Sequence, residues 1–214
     1  MYSIIHNLVE GMPMRSPRER MVVSAALLIR ERGAHATAIS DVLAHSGAPR
    51  GSAYHYFPGG RTQLLCEAVD YAGDHVGAVI AGADSGLELL DTLIDKYRRQ
   101  LLDSDFRAGC PIVAVSVESG DWEDRERMLP VVERAAAVFD RWTGQIAQRL
   151  IADGIPAEQA GELSVLTISA LEGAIVLARV RRDVAPLDLI HRQLRTSLLA
   201  ALEKTPEGKS RDDR

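Results

Sequence analysis

Between Ser16 and Gly60 the chain is punctuated by helix starts and stops too closely spaced for any long element. Ser16-Pro17 precedes Glu19 and the apolar set Val22, Ala25, Ala26 and Ile29. That pattern gives a capping serine, a proline in the first turn and a glutamate completing a capping box. Gly33 is expected to close this helix in a left-handed conformation. A second, short helix is expected from a Ser40 cap through Val42, Leu43 and Ser46 to Gly47. Ala48-Pro49 then opens a third, over residues 50–57, and Pro58-Gly59-Gly60 cannot continue it. Two brief helices joined by a short turn containing glycine follow the grammar of a helix-turn-helix.

Beyond this the periodicity stays helical. Residues 61 to about 80 place Leu64, Leu65, Ala68, Val69 and Ala72 on one face. Further helices are expected over 87–102, over 124–153 with an interruption at Pro130, over 157–182 and over 186–204. The apolar run 112–117 fits a buried strand or a short helix, and with no second strand to pair with it is read as helix. Aromatic residues make up only 5% of the chain, and the Ala, Leu, Val and Arg that replace them favour helix. The expected fold is all-α. A flexible arm (1–16) leads into a three-helix domain with a helix-turn-helix (17–60), then a larger helical domain (61–204) and a polar, disordered tail (205–214).

Charge divides the chain. Residues 1–66 carry seven arginines against four acidic residues, while the remainder carries eighteen basic against twenty-six acidic. A basic head on an acidic body suits local contact with a polyanion, although chance clustering of a few arginines gives the same count. Residues 1–14 lack the basic start of a secretory signal, and Ser164, Thr167, Ser169 and Glu172 argue against a bilayer span over 163–178. Cys66 and Cys110 fit no metal spacing, and so few thiols suit a reducing cytoplasm. His35, His45 and His55 recur at even intervals but fall on separate expected elements, so no metal and no cofactor is expected. The nucleophile-elbow, dinucleotide-binding, P-loop and zincin motifs are missing, and the chain is not read as an enzyme.

The segment 50–56 concentrates Arg50, Gly51, Ser52, Tyr54, His55 and Tyr56. An α-helix fits the major groove, and a solvated polar face does not explain exposing two tyrosines and a histidine together. The stretch from Arg18 to Ala68 resembles the TetR family of bacterial transcriptional regulators. The Gly-Ala-Pro-Arg-Gly-Ser and Phe-Pro-Gly-Gly-Arg runs, and the Gly109-Cys110-Pro111 turn, resemble its LmrA/YxaF-like branch. Pro49 departs from the pattern, standing where many relatives carry a capping serine.

The resemblance implies about nine helices, with 17–60 as the DNA-binding domain and 61–204 as the ligand-binding and dimerisation domain. It also implies a two-fold homodimer on a pseudo-palindromic double-stranded operator, acting mostly as a repressor. A small-molecule effector in the C-terminal domain would shift the helix that begins at Arg61 and release DNA. It assigns Thr37, Ser40, Ser52 and Arg61 to phosphate, and Arg50, Tyr54 and His55 to base edges, with Gly51 and Tyr56 on the same recognition helix. The alternative is a helical small-molecule carrier or adaptor whose helix-turn-helix is vestigial.

For the effector, composition offers Tyr97, Phe106, Cys110, Trp122, Met128, Phe139 and Trp142, each also a normal core residue. Cys110 could equally serve as a redox sensor. Glu172 is a carboxylate in an otherwise apolar helix and needs a partner, either an arginine such as Arg141 or Arg179 or a polar group on the effector. The helix over 163–178 is apolar nearly all round, and the last helix carries Leu187, Ile190, Leu194, Leu198 and Leu202 on one stripe. Both faces are expected to pair with symmetry mates in a four-helix dimer interface.

Overall fold

The computed structural model describes residues 16–118 and 122–203, without the side chains of 122–125. The expected arm and tail lie outside the described residues, apart from Ser16. Among the described residues nine helices and no strand occur: α1 (Pro17–Arg32), α2 (Ile39–Ser46), α3 (Ser52–Tyr56), α4 (Gly60–Ala81), α5 (Gly86–Asp103), α6 (Pro111–Val117), α7 (Trp122–Ala152), α8 (Ala157–Arg181) and α9 (Ala185–Glu203).

Local signals set most boundaries. The Ser16 hydroxyl accepts from the Glu19 amide at 3.2 Å while the Glu19 carboxylate accepts from the Ser16 amide at 2.8 Å. Gly47 ends α2 in the left-handed region. Three expectations need correction. Ser40 does not cap α2: the helix starts one residue earlier, and Asp41 takes the Ala38 amide at 3.2 Å. Residues 49–51 form a turn, so α3 starts only at Ser52. Pro130 does not interrupt α7, which runs through it. The proline is exposed, so solvent can take the carbonyl left without a donor.

Helices α1, α2 and α3 close around Met21, Ala25, Ile29, Val42, Ala53 and Phe57, all buried. Helix α4 belongs to this bundle and to the rest of the molecule. Its first half packs Leu64, Leu65 and Ala68 inside, and Glu67 pairs with Arg18 of α1 at 2.7 Å. Its second half lies along α7, where Asp70 and Asp74 meet Arg134 and Arg141 at 2.7 and 3.0 Å. Contact there is close. A Cβ on Gly73 would lie 2.6 Å from Val138 Cγ2, and the Trp142 indole N–H donates to the Gly73 carbonyl at 2.9 Å.

Helix α8 is long and apolar enough, by composition, to cross a membrane, but half of that stretch is packed inside the protein. Leu163, Ile168, Leu171 and Ile175 face inward; Val165, Leu166, Val176, Leu177 and Val180 face out. The stripe of α9 expected at a dimer interface is spent within the protomer. Leu187, Leu194 and Leu198 are buried and Ile190 and Leu202 half-buried, because α9 packs on α5 and α8. Leu189 and Leu199 are its exposed apolar residues.

The α4–α7 approach leaves no room for a methyl group. Gly73→Ala is expected to destabilise the protein by about 1–3 kcal/mol through overpacking. Gly144, also in α7 but with open space around its Cα, should gain up to about 1 kcal/mol on change to alanine. Denaturant melts of the two variants check this pair.

Candidate DNA-reading and effector sites

Helix α3 is anchored by its inward residues. Ala53 and the following Phe57 are buried, which turns Tyr54 (76% exposed) and His55 outward, with Arg50 exposed in the turn just before. Tyr56 is half-buried and takes the His55 ring edge-on at 5.0 Å. The Ser52 hydroxyl donates to the Pro49 carbonyl at 2.6 Å, tightening that turn. Gly51 has nothing within 4 Å of the place a Cβ would take, so the fold does not require glycine there. Ser40 is exposed on α2.

Most arginines of this domain are occupied. Arg18 pairs with Glu67 and stacks on Phe57, Arg20 donates to the Ser46 carbonyl, Arg32 pairs with Asp41, and Arg30 reaches Gln100. Arg61 donates through Nε to the Thr37 carbonyl at 3.0 Å and through Nη2 to the carbonyls of Ala34 and His35. Thr37 is 1% exposed, and its hydroxyl donates to the Gly33 carbonyl at 2.7 Å. Neither side chain is arranged for the phosphate contact the sequence suggested. Their donors hold the α1–α2 turn instead. Glu118 holds the same turn from α6: its carboxylate accepts from the His35 amide at 2.7 Å and occupies the space a Cβ on Gly33 would need. Arg50 is the arginine of α1 to α3 and their turns that, among the described residues, has no intramolecular partner.

The effector candidates separate into several places. Trp122 opens α7, and its side chain lies outside the described residues. Phe139 packs edge-on against Trp142, which is buried beneath α4. Met128 sits under Arg61, its sulfur 3.8 Å from Nη1, beside an opening of about 230 Å³ shared with His35, Thr62 and Arg127. Phe106 lines an opening of about 260 Å³ with Val176, Arg179 and Val180.

Tyr97, Cys110 and Glu172 do come together, with Lys96 next to them. Glu172 is 8% exposed, and among the described residues neither carboxylate oxygen has a hydrogen-bond partner. Neither Arg141 nor Arg179 supplies one: they bond Asp74 and the carbonyls of Glu31 and Arg107. Burial raises the Glu172 carboxyl from its ordinary 4.5 to about 7; the Cys110 thiol and the Lys96 charge only partly oppose that rise. The thiol is near enough to act on the carboxyl without making a regular hydrogen bond to it. Burial, then the neighbouring Glu172, pushes Cys110 well above the ordinary thiol range, which keeps it protonated and gives no support to a redox role. Tyr97 is pushed up likewise, chiefly by burial.

Residues 22–68 match the family described as bacterial regulatory proteins, tetR family, and residues 87–193 match the C-terminal domain of LmrA/YxaF-like transcriptional regulators. The chain is 78% identical over 189 residues to an HTH-type transcriptional regulator of Mycobacterium tuberculosis H37Rv, covering 88% of this chain and 97% of that one. It is 31% identical to the HTH-type regulator YxaF of Bacillus subtilis, over 83% of this chain and 92% of that one. A TetR regulator crystal structure from Chloroflexus aurantiacus superposes with a TM-score of 0.64 at 32% identity, covering 86% and 94% of the two chains. One from Legionella pneumophila shares the fold at a TM-score of 0.74 and 19% identity, covering 87% and 99%. The chain is a TetR-family transcriptional regulator of the LmrA/YxaF-like branch.

Within this TetR-family chain, sequence reading missed Glu118 and the main-chain roles of Arg61 and of Arg179, which it had offered only as a partner for Glu172. Each acts on backbone groups far away in sequence, so no local spacing marks it. Lys96 was equally silent, a cation on a helix otherwise read for its apolar face.

The Glu172 carboxyl also sets a pH dependence. Its folded value is raised, so the folded state favours the protonated form. Stability is greatest below the unfolded value of 4.5 and declines as pH rises through about 7. The full loss is on the order of 3 kcal/mol. Glu172→Gln should flatten the denaturant midpoint between about pH 5 and about pH 8. An unchanged slope in that variant would assign the effect to another group.

Proposed function

We propose that this regulator reads a double-stranded operator through Arg50, Tyr54 and His55, and that it represses until a small molecule in the C-terminal domain releases it. Support comes chiefly from α3 and the turn before it, where Tyr54 and His55 on the helix and Arg50 in the turn are exposed while Ala53 and Phe57 anchor the opposite face. Arg50 carries a charge with no partner among the described residues, as a side chain reserved for base edges or phosphate would. Ser40 is exposed on α2 and suits phosphate. Gly51 lets the backbone approach the duplex, Ser52 and Tyr56 set the local geometry, and Thr37 and Arg61 position the turn behind it.

Regulators of this family dimerise on DNA, and half-site spacing follows from the dimer. The dimer surface we propose is the outer face of α8 and α9: Val165, Leu166, Val176, Leu177, Val180, Leu189 and Leu199, too much apolar surface for a lone protomer to expose. The protein then works in the cytoplasm, where the DNA is. The effector we propose is apolar or aromatic over most of its surface, and it meets Glu172, Cys110 and Tyr97. It carries a polar group for the carboxylate, because that acceptor has no partner of its own.

Gel retardation with DNA from upstream of the protein's own gene tests the reading directly. No retained fragment would favour the carrier alternative. Arg50→Ala should cost roughly 1–3 kcal/mol on the operator and little on random DNA if the guanidinium reads a base. If it meets phosphate, both DNAs should weaken alike and the salt slope fall by about one unit. Arg61→Ala should weaken binding without changing that slope, since its donors go to carbonyls. Val180→Asp should shift sedimentation from dimer to monomer and weaken the operator complex together. An intact dimer in that variant would place the interface elsewhere.

A further inference from the structure

The carbonyls in the last turn of an α-helix have no partners within it. In α1 two of them are satisfied from the ligand-binding domain. The Arg30 carbonyl accepts from the Gly109 amide at 2.8 Å, and the Glu31 carbonyl accepts from Arg179 Nη2 at 3.1 Å. Both donors belong to one assembly. Arg179 also donates to the Arg107 carbonyl at 2.7 Å and lies against Gly109, where a Cβ would come within 2.9 Å of Nη1. Gln100 joins the two sides, donating to the Gly109 carbonyl at 2.8 Å while accepting from Arg30 at 3.4 Å.

The turn between α5 and α6 that carries Gly109 is unusual in itself. Asp105 and Phe106 are consecutive non-glycine residues with φ of 53° and 58°, a conformation that neighbours must hold in place. Arg182 does so, bonding the Asp105 carboxylate and carbonyl and lying over the Phe106 ring. Ser104 accepts from the Ala108 amide at 3.0 Å. The next residue after Gly109 is Cys110, whose thiol faces the unpartnered Glu172 carboxylate. The group that caps α1 is therefore one peptide unit from the group that touches the effector acceptor.

We propose that this turn transmits occupancy at Glu172 to the DNA-binding domain by capping and uncapping the C-terminal end of α1. The proposal rests on the reading of Glu172 as the effector's acceptor. A ligand that presents a hydrogen-bond donor to Glu172 displaces the Cys110 thiol. That movement draws the Gly109 amide and Arg179 away from Arg30 and Glu31. Helix α1 then loses two of its terminal hydrogen bonds and its register against the ligand domain, and α3, packed on α1, moves with it. The ligand binds the uncapped state more tightly than the capped one, which makes the coupling reciprocal.

A double-mutant cycle on the full-length protein tests this. Cys110→Met serves as the probe of occupancy, placing a longer side chain between Tyr97 and Glu172. Arg179→Met removes the guanidinium but keeps an apolar stem. Hydrogen exchange is read at Gly109 and across residues 28–37, and operator affinity is read by retardation. Cys110→Met should speed exchange at both places and weaken operator binding about five-fold or more. Arg179→Met should weaken it too, and the pair should lose little more than the worse single variant, because both break one route. Fold-losses that multiply, or exchange in α1 that does not change, would overturn the proposal. Should Cys110→Met fail to fold by circular dichroism, Glu172→Gln takes its place in the same cycle. Exchange does not depend on DNA. A wild-type protein that retards no operator therefore removes the proposed function alone, whereas unaltered α1 exchange removes the coupling alone.

Discussion

Helix α4 is the member both parts of this molecule share, and its fit against α7 sets the distance between them. The fit depends on one missing side chain. Because Gly73 has no Cβ, Val138 and Arg141 can close on the helix backbone and the Trp142 indole can reach a main-chain carbonyl. The ion pairs along the same seam are exposed and contribute little by themselves, but they select one register between the two helices. Leu64 and Leu65, toward the other end of α4, complete the core beneath α1. Helix α4 therefore carries the helix-turn-helix core at one end and the seam with α7 at the other.

A second set of contacts holds the helix-turn-helix by its main chain, only one of them from α4. The turn between α1 and α2 is gripped by Arg61 and Glu118, and the end of α1 by Gly109 and Arg179. All four use main-chain partners, so they fix where the backbone runs while asking nothing of the side chains it carries. The DNA-binding domain is thus held at several points by the C-terminal helices.

Elements were legible in the sequence where their signals are local. Ser16 with Glu19, the stop at Gly47 and the Pro-Gly-Gly after Phe57 act within a turn or two, and the structure follows them. Pro130 misled because its effect depends on which face of α7 it occupies, and periodicity read without a partner does not say that it faces water. The α9 leucine stripe was real, but amphipathicity names a buried face without naming what buries it; α5 and α8 do, and the outer surface falls to other residues. In the candidate site the outward set of α3 was legible because Ala53 and Phe57 fix its rotation. The use of Arg61 and Thr37 was not, since an arginine that opens a helix near DNA looks the same whether it meets a phosphate or three carbonyls.

That clamp on carbonyls has a consequence for how the sequence can drift. Ala36 is exposed in the middle of the gripped turn, and the bonds from Arg61 and Glu118 go to main-chain groups of its neighbours. Exchanges there leave every anchoring bond in place, so the residue type at the turn can change without moving α2. Position 35 is different, because its amide is one of the anchors. A proline would delete the amide that Glu118 accepts, and the tolerance of the turn to substitution ends where a main-chain donor is lost.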